Sequence, residues 1–249
     1  MAMTATASKE LRRKASDIIG LINPTVIAVC PCKKNITYRL SKFVSIEESF
    51  GSILQEIKVK LTTMGRIIIY CRRFNDCSEL YRYFKVGLGK KFTHPIDAPP
   101  ELSKYRLVEM FTSCTDPEVK GKIIESFSSV SSPLRIVCAT IAFGMGVDTP
   151  NVRKIIHFGA PNDLHSYIQE TGRGGRDSKV TVALLLSVSK FNHLCDKEML
   201  RYLKNTTKCR RDLLFQDTDN YHHIDMGKKC MCCDICGSDC DCGSCEVFS

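Results

Sequence analysis

Short apolar runs rich in β-branched residues recur along this chain, separated by stretches with helical spacing. That alternation restricts the possible fold more than any other feature. Arg66-Ile-Ile-Ile-Tyr-Cys71, Leu107–Phe111, Leu134–Ala139, Lys154–Phe158 and Val180–Val188 are apolar almost throughout. Continuous apolarity marks strands buried on both faces, the condition of a parallel sheet. Between the runs lie helix signals. Ser45-Ile-Glu-Glu48 is a capping box, followed by Ile46, Phe50, Ile53, Leu54, Ile57 and Leu61 at helical spacing, with Gly65 as the stop. Asn75 or Asp76 caps a second helix through Phe84, Thr115-Asp-Pro-Glu118 opens a third through Phe127, and Leu164–Thr171 makes a short fourth. Near the start, Ser8 and Gly20 bracket a further helix, and Asn23-Pro24 turns the chain into a strand at Val26–Val29. The order predicts an α/β fold, a parallel sheet flanked by helices, giving way to a helical segment from Ser189 onward.

A chain of 249 residues holds one such domain and a small appendix. Its formal charge of +9 is uneven, with 17 Lys/Arg against 7 Asp/Glu before residue 96 and near balance after it. A basic excess suits a polyanion partner, although a solvated basic face has the same composition. No apolar stretch approaches the roughly 18 to 20 residues that span a bilayer, so no membrane partner is expected.

Two arginines three residues apart carry the strongest chemical signal, in Gln169-Glu-Thr-Gly-Arg173-Gly-Gly-Arg176-Asp177. Guanidinium forks pair with phosphate oxygens and stabilise charge that develops on a transferred phosphoryl group. Upstream stand Arg135-Ile-Val-Cys-Ala-Thr140-Ile-Ala-Phe-Gly144-Met-Gly146-Val-Asp148 and Val152-Arg-Lys-Ile-Ile-His157-Phe-Gly-Ala-Pro161, each a buried run feeding a loop of small residues. These three ordered blocks resemble motif V, the following strand, and motif VI of the second motor lobe of RecQ-type DNA helicases. Thr4-Ala-Thr-Ala7 resembles their motif III, and Arg66–Cys71 their motif IV.

The resemblance implies a RecA-like lobe over residues 40–190, preceded by the end of a first lobe and a connection over 1–39. It implies an ATP-dependent 3′-to-5′ DNA helicase acting in repair and recombination in the nucleus, with ATP, Mg2+ and DNA as partners. Arg176 would be the arginine finger, supported by Arg173, with Gln169 and Gly172 beside the nucleotide. Gly144 and Gly146 would let backbone approach it, and Asp148 would touch the ribose or cap its own loop. Thr140 and the motif IV pair Arg72 and Arg73 would face DNA, although the two arginines read equally well as solvated surface charges. His157 and Tyr167 read as core residues. Met110-Phe-Thr-Ser-Cys114 stands where relatives carry His-x-Gly-Leu, and Gly174-Gly175 where they carry Ala-Gly. No Gly-x4-Gly-Lys-Ser/Thr loop and no acidic strand end for magnesium occur in these residues, so tight nucleotide binding would require a first lobe or another helicase partner. The alternative reading is a non-hydrolysing, zinc-containing module that binds DNA or docks on a helicase.

Fifteen cysteines form a second signature, seven of them between 230 and 245. The first 20 residues are basic and lack the apolar core of a secretion signal, so a reducing compartment and metal binding outweigh a disulfide framework. Cys209-Arg-Arg, then Cys230-x2-Cys233-Asp-Ile-Cys236, is similar to the RecQ zinc-binding subdomain. It implies Zn2+ held by Cys209, Cys230, Cys233 and Cys236 within a helical subdomain over 191–237. Cys232 could compete with Cys233, and His222 or His223 could substitute as a minor option. Cys240, Cys242 and Cys245 lie in a Gly/Ser/Asp-rich tail, 238–249, whose composition predicts unstructured thiols over a second, looser metal site.

Overall fold

The computed structural model describes residues 9–140, 143, 149–222, 228–243 and 245. Thr4–Ala7, Gly144, Gly146, Asp148 and His223 lie outside them. Six strands form one parallel sheet in the order β1-β6-β5-β2-β4-β3. They are β1 (Ile36–Lys42), β2 (Arg66–Cys71), β3 (Val108–Phe111), β4 (Ile136–Ala139), β5 (Val152–Phe158) and β6 (Thr181–Ser187). Helices α1 (Lys9–Ile18), α2 (Ile46–Lys60), α3 (Phe74–Leu88), α4 (Pro117–Ser128), α5 (Leu164–Thr171), α6 (Lys197–Lys204), α7 (Arg210–Phe215) and α8 (Asp234–Ser238) complete the chain order. The α/β expectation of a RecA-like parallel sheet flanked by helices holds. None of these helices is long and apolar enough to cross a membrane.

Period-two alternation along the strands splits the core. From β2, Ile67, Ile69 and Cys71 pack with Phe50, Ile57, Leu80 and Phe84 of α2 and α3. Ile68 and Tyr70 face the other way, toward Ile123 and Phe127 of α4. Each such fully buried side chain contributes about 1.5–3 kcal/mol of transfer free energy. A third cluster joins Ile36 and Tyr38 of β1 and Leu185 of β6 to Tyr167, Met199, Tyr202, Phe215, Cys232 and Cys233. It fastens the C-terminal helices to the sheet.

Local signals explain the element starts. Ser45 caps α2 by accepting from the Glu48 amide, and Asp163 caps α5 by accepting from Ser166. Asp116 accepts from the Glu118 and Val119 amides ahead of α4, with Pro117 in the first turn. The cap expected at Asn75 or Asp76 is not used. Helix α3 follows Arg73, which makes no side-chain cap, and Asp76 is buried inside the first turn, where the Arg73 fork holds its carboxylate.

The edge strand differs from expectation. Val26–Val29 is not a strand: Val26, Ile27 and Val29 are 58%, 93% and 86% exposed and no described strand lies beside them. A β-prone run without a neighbour gains nothing from its propensity. Ile36–Lys42 takes the edge instead, pairing with β6 from Ile36↔Thr181 to Lys42↔Ser187. The sheet therefore begins four residues before the expected boundary at 40. The outer side of β1 is covered by the cysteine segment. Tyr38 N donates to Cys232 O (3.2 Å), Thr37 Oγ1 to Met231 O (2.9 Å) and Leu40 N to Asp234 Oδ2 (3.2 Å). An edge that would otherwise offer unpaired amides is closed by the chain's own C-terminal part.

Candidate functional site

The arginine loop spans the turn from α5 to β6. Its first half lies beside the motif V segment. Arg173 is half-buried next to the Tyr70 hydroxyl, which donates to the Phe143 carbonyl (3.1 Å). Burial pushes the Tyr70 phenol well above its ordinary value, and the Arg173 charge opposes that shift. Arg173 Nε is buried with no hydrogen-bond partner among the described residues. Arg176 is exposed. Neither guanidinium is sealed in the core.

The loop's second half is held from below by the segment that leads into β1. Lys33 Nζ donates to the carbonyls of Gly172 (2.7 Å) and Gly174 (3.0 Å), and Asn35 Nδ2 to those of Gly175 and Lys179 (2.8 Å each). Burial first, and the neighbouring Arg176 charge second, lower the Lys33 pKa. Arg153 forks onto Asp177, and that hydrogen bonding lowers the Asp177 carboxyl to about 2. Sequence reasoning missed Lys33, Asn35 and Arg153, because nothing local marks a residue whose partner lies 24 to 144 positions away.

The departure from Ala-Gly to Gly174-Gly175 has a steric cause. A Cβ on Gly174 would stand 2.5 Å from Thr181 Cγ2 and 3.1 Å from Ile155 Cδ1. Thr181 Oγ1 donates to the Val152 carbonyl, so the threonine is fixed in place. The glycine lets the loop lie flat on β5 and β6.

The other expected contacts spread out. Gln169 is exposed and bonded to His165 within α5 (3.0 Å), and Gly172 closes α5 with its carbonyl taken by Lys33. Thr140 is half-buried at the carboxyl end of β4, its amide donating to Phe111 O (3.1 Å). Arg72 lies at the carboxyl end of β2 and donates to Ala160 O (2.7 Å) and Asn162 Oδ1 (2.9 Å). Arg73 is exposed, pairs with Asp76 and stacks over Phe191 at 4.8 Å. Both arginines thus have internal partners at the same edge as Thr140. The Gly174–Asp177 half of the loop sits where β1, β5 and β6 begin, a strand length of about 20 Å away. His157 is core, as expected, bonded through Nε2 to Glu170 (2.8 Å) and stacked on Tyr70.

The cysteines assemble differently from their spacing. Cys209, Cys232, Cys233 and Cys236 bring their sulfurs within 4.8 Å of one another. Cys230, expected in that group, belongs to a second one with Cys240, Cys242 and Cys245. The reason is directional. Cys232 and Cys233 turn inward under β1 and are buried, whereas Cys230, two residues earlier, faces the tail. Hydrogen bonds from Cys209 and Cys232 push the Cys233 thiol strongly toward thiolate, and the shared contact with Cys232 pushes Cys209 the opposite way. Four sulfurs gathered this closely suit a cation, whose binding would displace their protons. Each group offers four sulfurs and could hold a metal ion. The basic pair after Cys209 is structural. Arg210 (4% exposed) pairs with Asp234, and Arg211 (1% exposed) donates to the carbonyls of Lys33 (2.7 Å) and Ile36 while lying over the Tyr38 ring at 5.4 Å.

Comparison with known proteins follows this layout. Residues 48–178 match the helicase conserved C-terminal domain. The chain is 32% identical to ATP-dependent DNA helicase Q1 of Rattus norvegicus over 95% of its own length and 37% of that protein. It is 24% identical to ATP-dependent helicase SGS1 of Saccharomyces cerevisiae over 97% of its length and 16% of that protein. It therefore spans about a sixth of one of these relatives and little more than a third of the other. Among solved structures, S. cerevisiae Dbp5 bound to RNA and ADP BeF3 shares the fold, with a TM-score of 0.59 and 18% identity over 87% of this chain and 49% of that one. With more than half of its residues matched and RecQ-type DNA helicases as its relatives in sequence, the chain belongs to the helicase conserved C-terminal domain family.

Proposed function

We propose that these residues form the second motor lobe and cysteine module of a RecQ-type, ATP-dependent 3′-to-5′ DNA helicase that acts in nuclear repair and recombination. The observation that carries this reading is the arginine loop. Arg176 is presented to solvent while Lys33, Asn35 and Arg153 hold the backbone and Asp177 beneath it. A guanidinium placed on a braced loop loses little freedom when it meets a phosphate. Arg176 would meet the γ-phosphate of ATP carried, with Mg2+, by a first lobe, and Arg173 would support it from the motif V side. Gln169, Gly172 and the loop containing Gly144, Gly146 and Asp148 would complete that face. Thr140, Arg72 and Arg73 would face the DNA backbone at the opposite edge of the sheet. Opening and closing of the cleft between lobes would then move a strand bound at one edge in response to phosphate contacts at the other.

The residues present fit a metal in the C-terminal part. A zinc ion about 2.3 Å from four sulfurs sets sulfur–sulfur edges of about 3.8 Å. Cys209 and Cys232 already stand 3.5 Å apart within their group of four. Zn2+ held there would neutralise the thiolates and fasten α7 and α8 to β1. A stand-alone, non-hydrolysing module would have no use for a braced arginine loop, so the motor reading is preferred.

A steady-state ATPase assay with single-stranded DNA tests it. These 249 residues alone should show negligible turnover, because they contain no Walker-type loop. Joined to the first lobe of a RecQ-type helicase, they should hydrolyse ATP, and Arg176→Ala should lower kcat by about 10³- to 10⁵-fold. Turnover by the isolated chain, or a joined enzyme indifferent to Arg176, contradicts the assignment.

A further inference from the structure

Of the eight cysteines from residue 209 onward, four lie outside the Cys209 group, and the fold brings them together. Cys230, Cys240, Cys242 and Cys245 hold their sulfurs within 4.8 Å of one another, with Cys230 Sγ 3.8 Å from Cys242 Sγ and Cys242 Sγ 3.4 Å from Cys245 Sγ. Those separations match the edges of about 3.8 Å in a tetrahedral zinc tetrathiolate. We propose that these four residues form a second zinc site, distinct from the Cys209 group and independent of the motor reading.

The backbone around the four sulfurs supports a built knuckle. Gly243 and Ser244 stand between Cys242 and Cys245, and Gly243 has a φ of +65°, a left-handed turn conformation that glycine adopts without strain. The Cys240 amide donates to Gly237 O (3.2 Å), folding the tail back onto α8. Gly237 itself lies against Cys230, since a Cβ there would stand 3.4 Å from Cys230 Cα. Three ligands come from six consecutive residues, and Cys230 ties them to the body of the protein. Loading exchanges four thiol protons for one Zn2+, with no electron transferred, and leaves a net charge of −2 on the site. Lys228 and Lys229, adjacent in sequence, partly offset that charge. The two sites divide the segment Cys230–Cys236 between them: Cys230 serves the tail, while Cys232, Cys233 and Cys236 serve the Cys209 group.

Metal content of the full chain, purified under reducing conditions and dialysed free of unbound zinc, tests the proposal. Two zinc ions per chain are expected. Cys242→Ser/Cys245→Ser should retain one, with the far-ultraviolet helical signal unchanged. Cys209→Ser should lose the other, which separates failure of the first site from failure of the second. Titration with Co2+ should saturate its thiolate absorption at two equivalents in the native chain and at one in the double variant. One zinc per chain in both the native protein and Cys242→Ser/Cys245→Ser overturns the second site. So does a disulfide within 230–245 found by non-reducing mass spectrometry of fresh protein. A single zinc lost in Cys230→Ser but kept in Cys232→Ser overturns the division of ligands, because it places Cys230 in the Cys209 group.

Discussion

In the sheet, Ile67, Ile68 and Ile69 are buried on alternating faces, each within a cluster of buried apolar side chains. In the C-terminal module, Cys232 and Cys233 are the only fully buried residues among those described from 228 onward, and their neighbours include a charged arginine network. The two regions are stable for different reasons. The lobe buries enough hydrocarbon to offset its own chain entropy. The module buries little apolar surface from residue 228 onward and is held through buried guanidinium groups and one shared strand, β1, with two sulfur groups that could hold a metal.

Metal removal probes that contrast most directly. Chelation, or Cys233→Ser, should abolish hydrogen-exchange protection across residues 209–238 while the amides of β2, β4 and β5 stay protected, since the free energy of metal binding is folding free energy for such modules. Loss of protection in the central strands as well would show one cooperative unit and break the comparison. Arg211→Met comes next. It removes the guanidinium donor from the Ile36 carbonyl and leaves the Lys33 carbonyl only the Ile36 amide (3.3 Å), and urea denaturation should report a loss of about 1–3 kcal/mol. The exposed Arg73→Ala should leave the urea midpoint essentially unchanged by the same measurement.

Within the lobe, Gly174→Ala should destabilise by about 1–3 kcal/mol through contact with Thr181 Cγ2. Thr181→Ser removes that methyl and keeps the hydroxyl bond to Val152, so the double variant should recover most of the loss. A double-mutant cycle that shows simple additivity would remove the steric explanation.

A small effect concerns Asp177. Its carboxyl is lowered to about 2 in the folded protein by Arg153, below the unfolded value of about 3.9. The pair's stabilisation is therefore present above about pH 4 and disappears as pH falls toward 2. The pair is partly solvent-exposed, so the contribution is under about 1 kcal/mol. Carboxyl titration by nuclear magnetic resonance should show the shift, and Arg153→Ala should abolish it.

Much of the lobe was legible because its signals are local. The apolar runs located β2 to β6, and Leu164–Thr171 formed as spaced. Ser45 capped its helix as its motif requires. The edge strand was not legible, since Val26–Val29 has the stronger β-propensity and only the partner β6 favours Ile36–Lys42. The candidate site divides the same way. Arg173 and Arg176 were visible as a spaced pair, but Lys33, Asn35 and Arg153 act across the fold. Spacing favoured Cys230 as the partner of Cys233, and the direction each sulfur takes from one short turn puts Cys232 there instead.

Hydrophobic period, turn residues and the order of motifs were enough to establish the parallel α/β lobe, the paired arginines and a cysteine module, because each depends on residues close together in the chain. Tertiary structure alone decided which strand closes the sheet, what braces the arginine loop and how eight sulfurs divide into two groups. Those choices depend on directions and distances between segments far apart in sequence, which residue type and spacing do not encode.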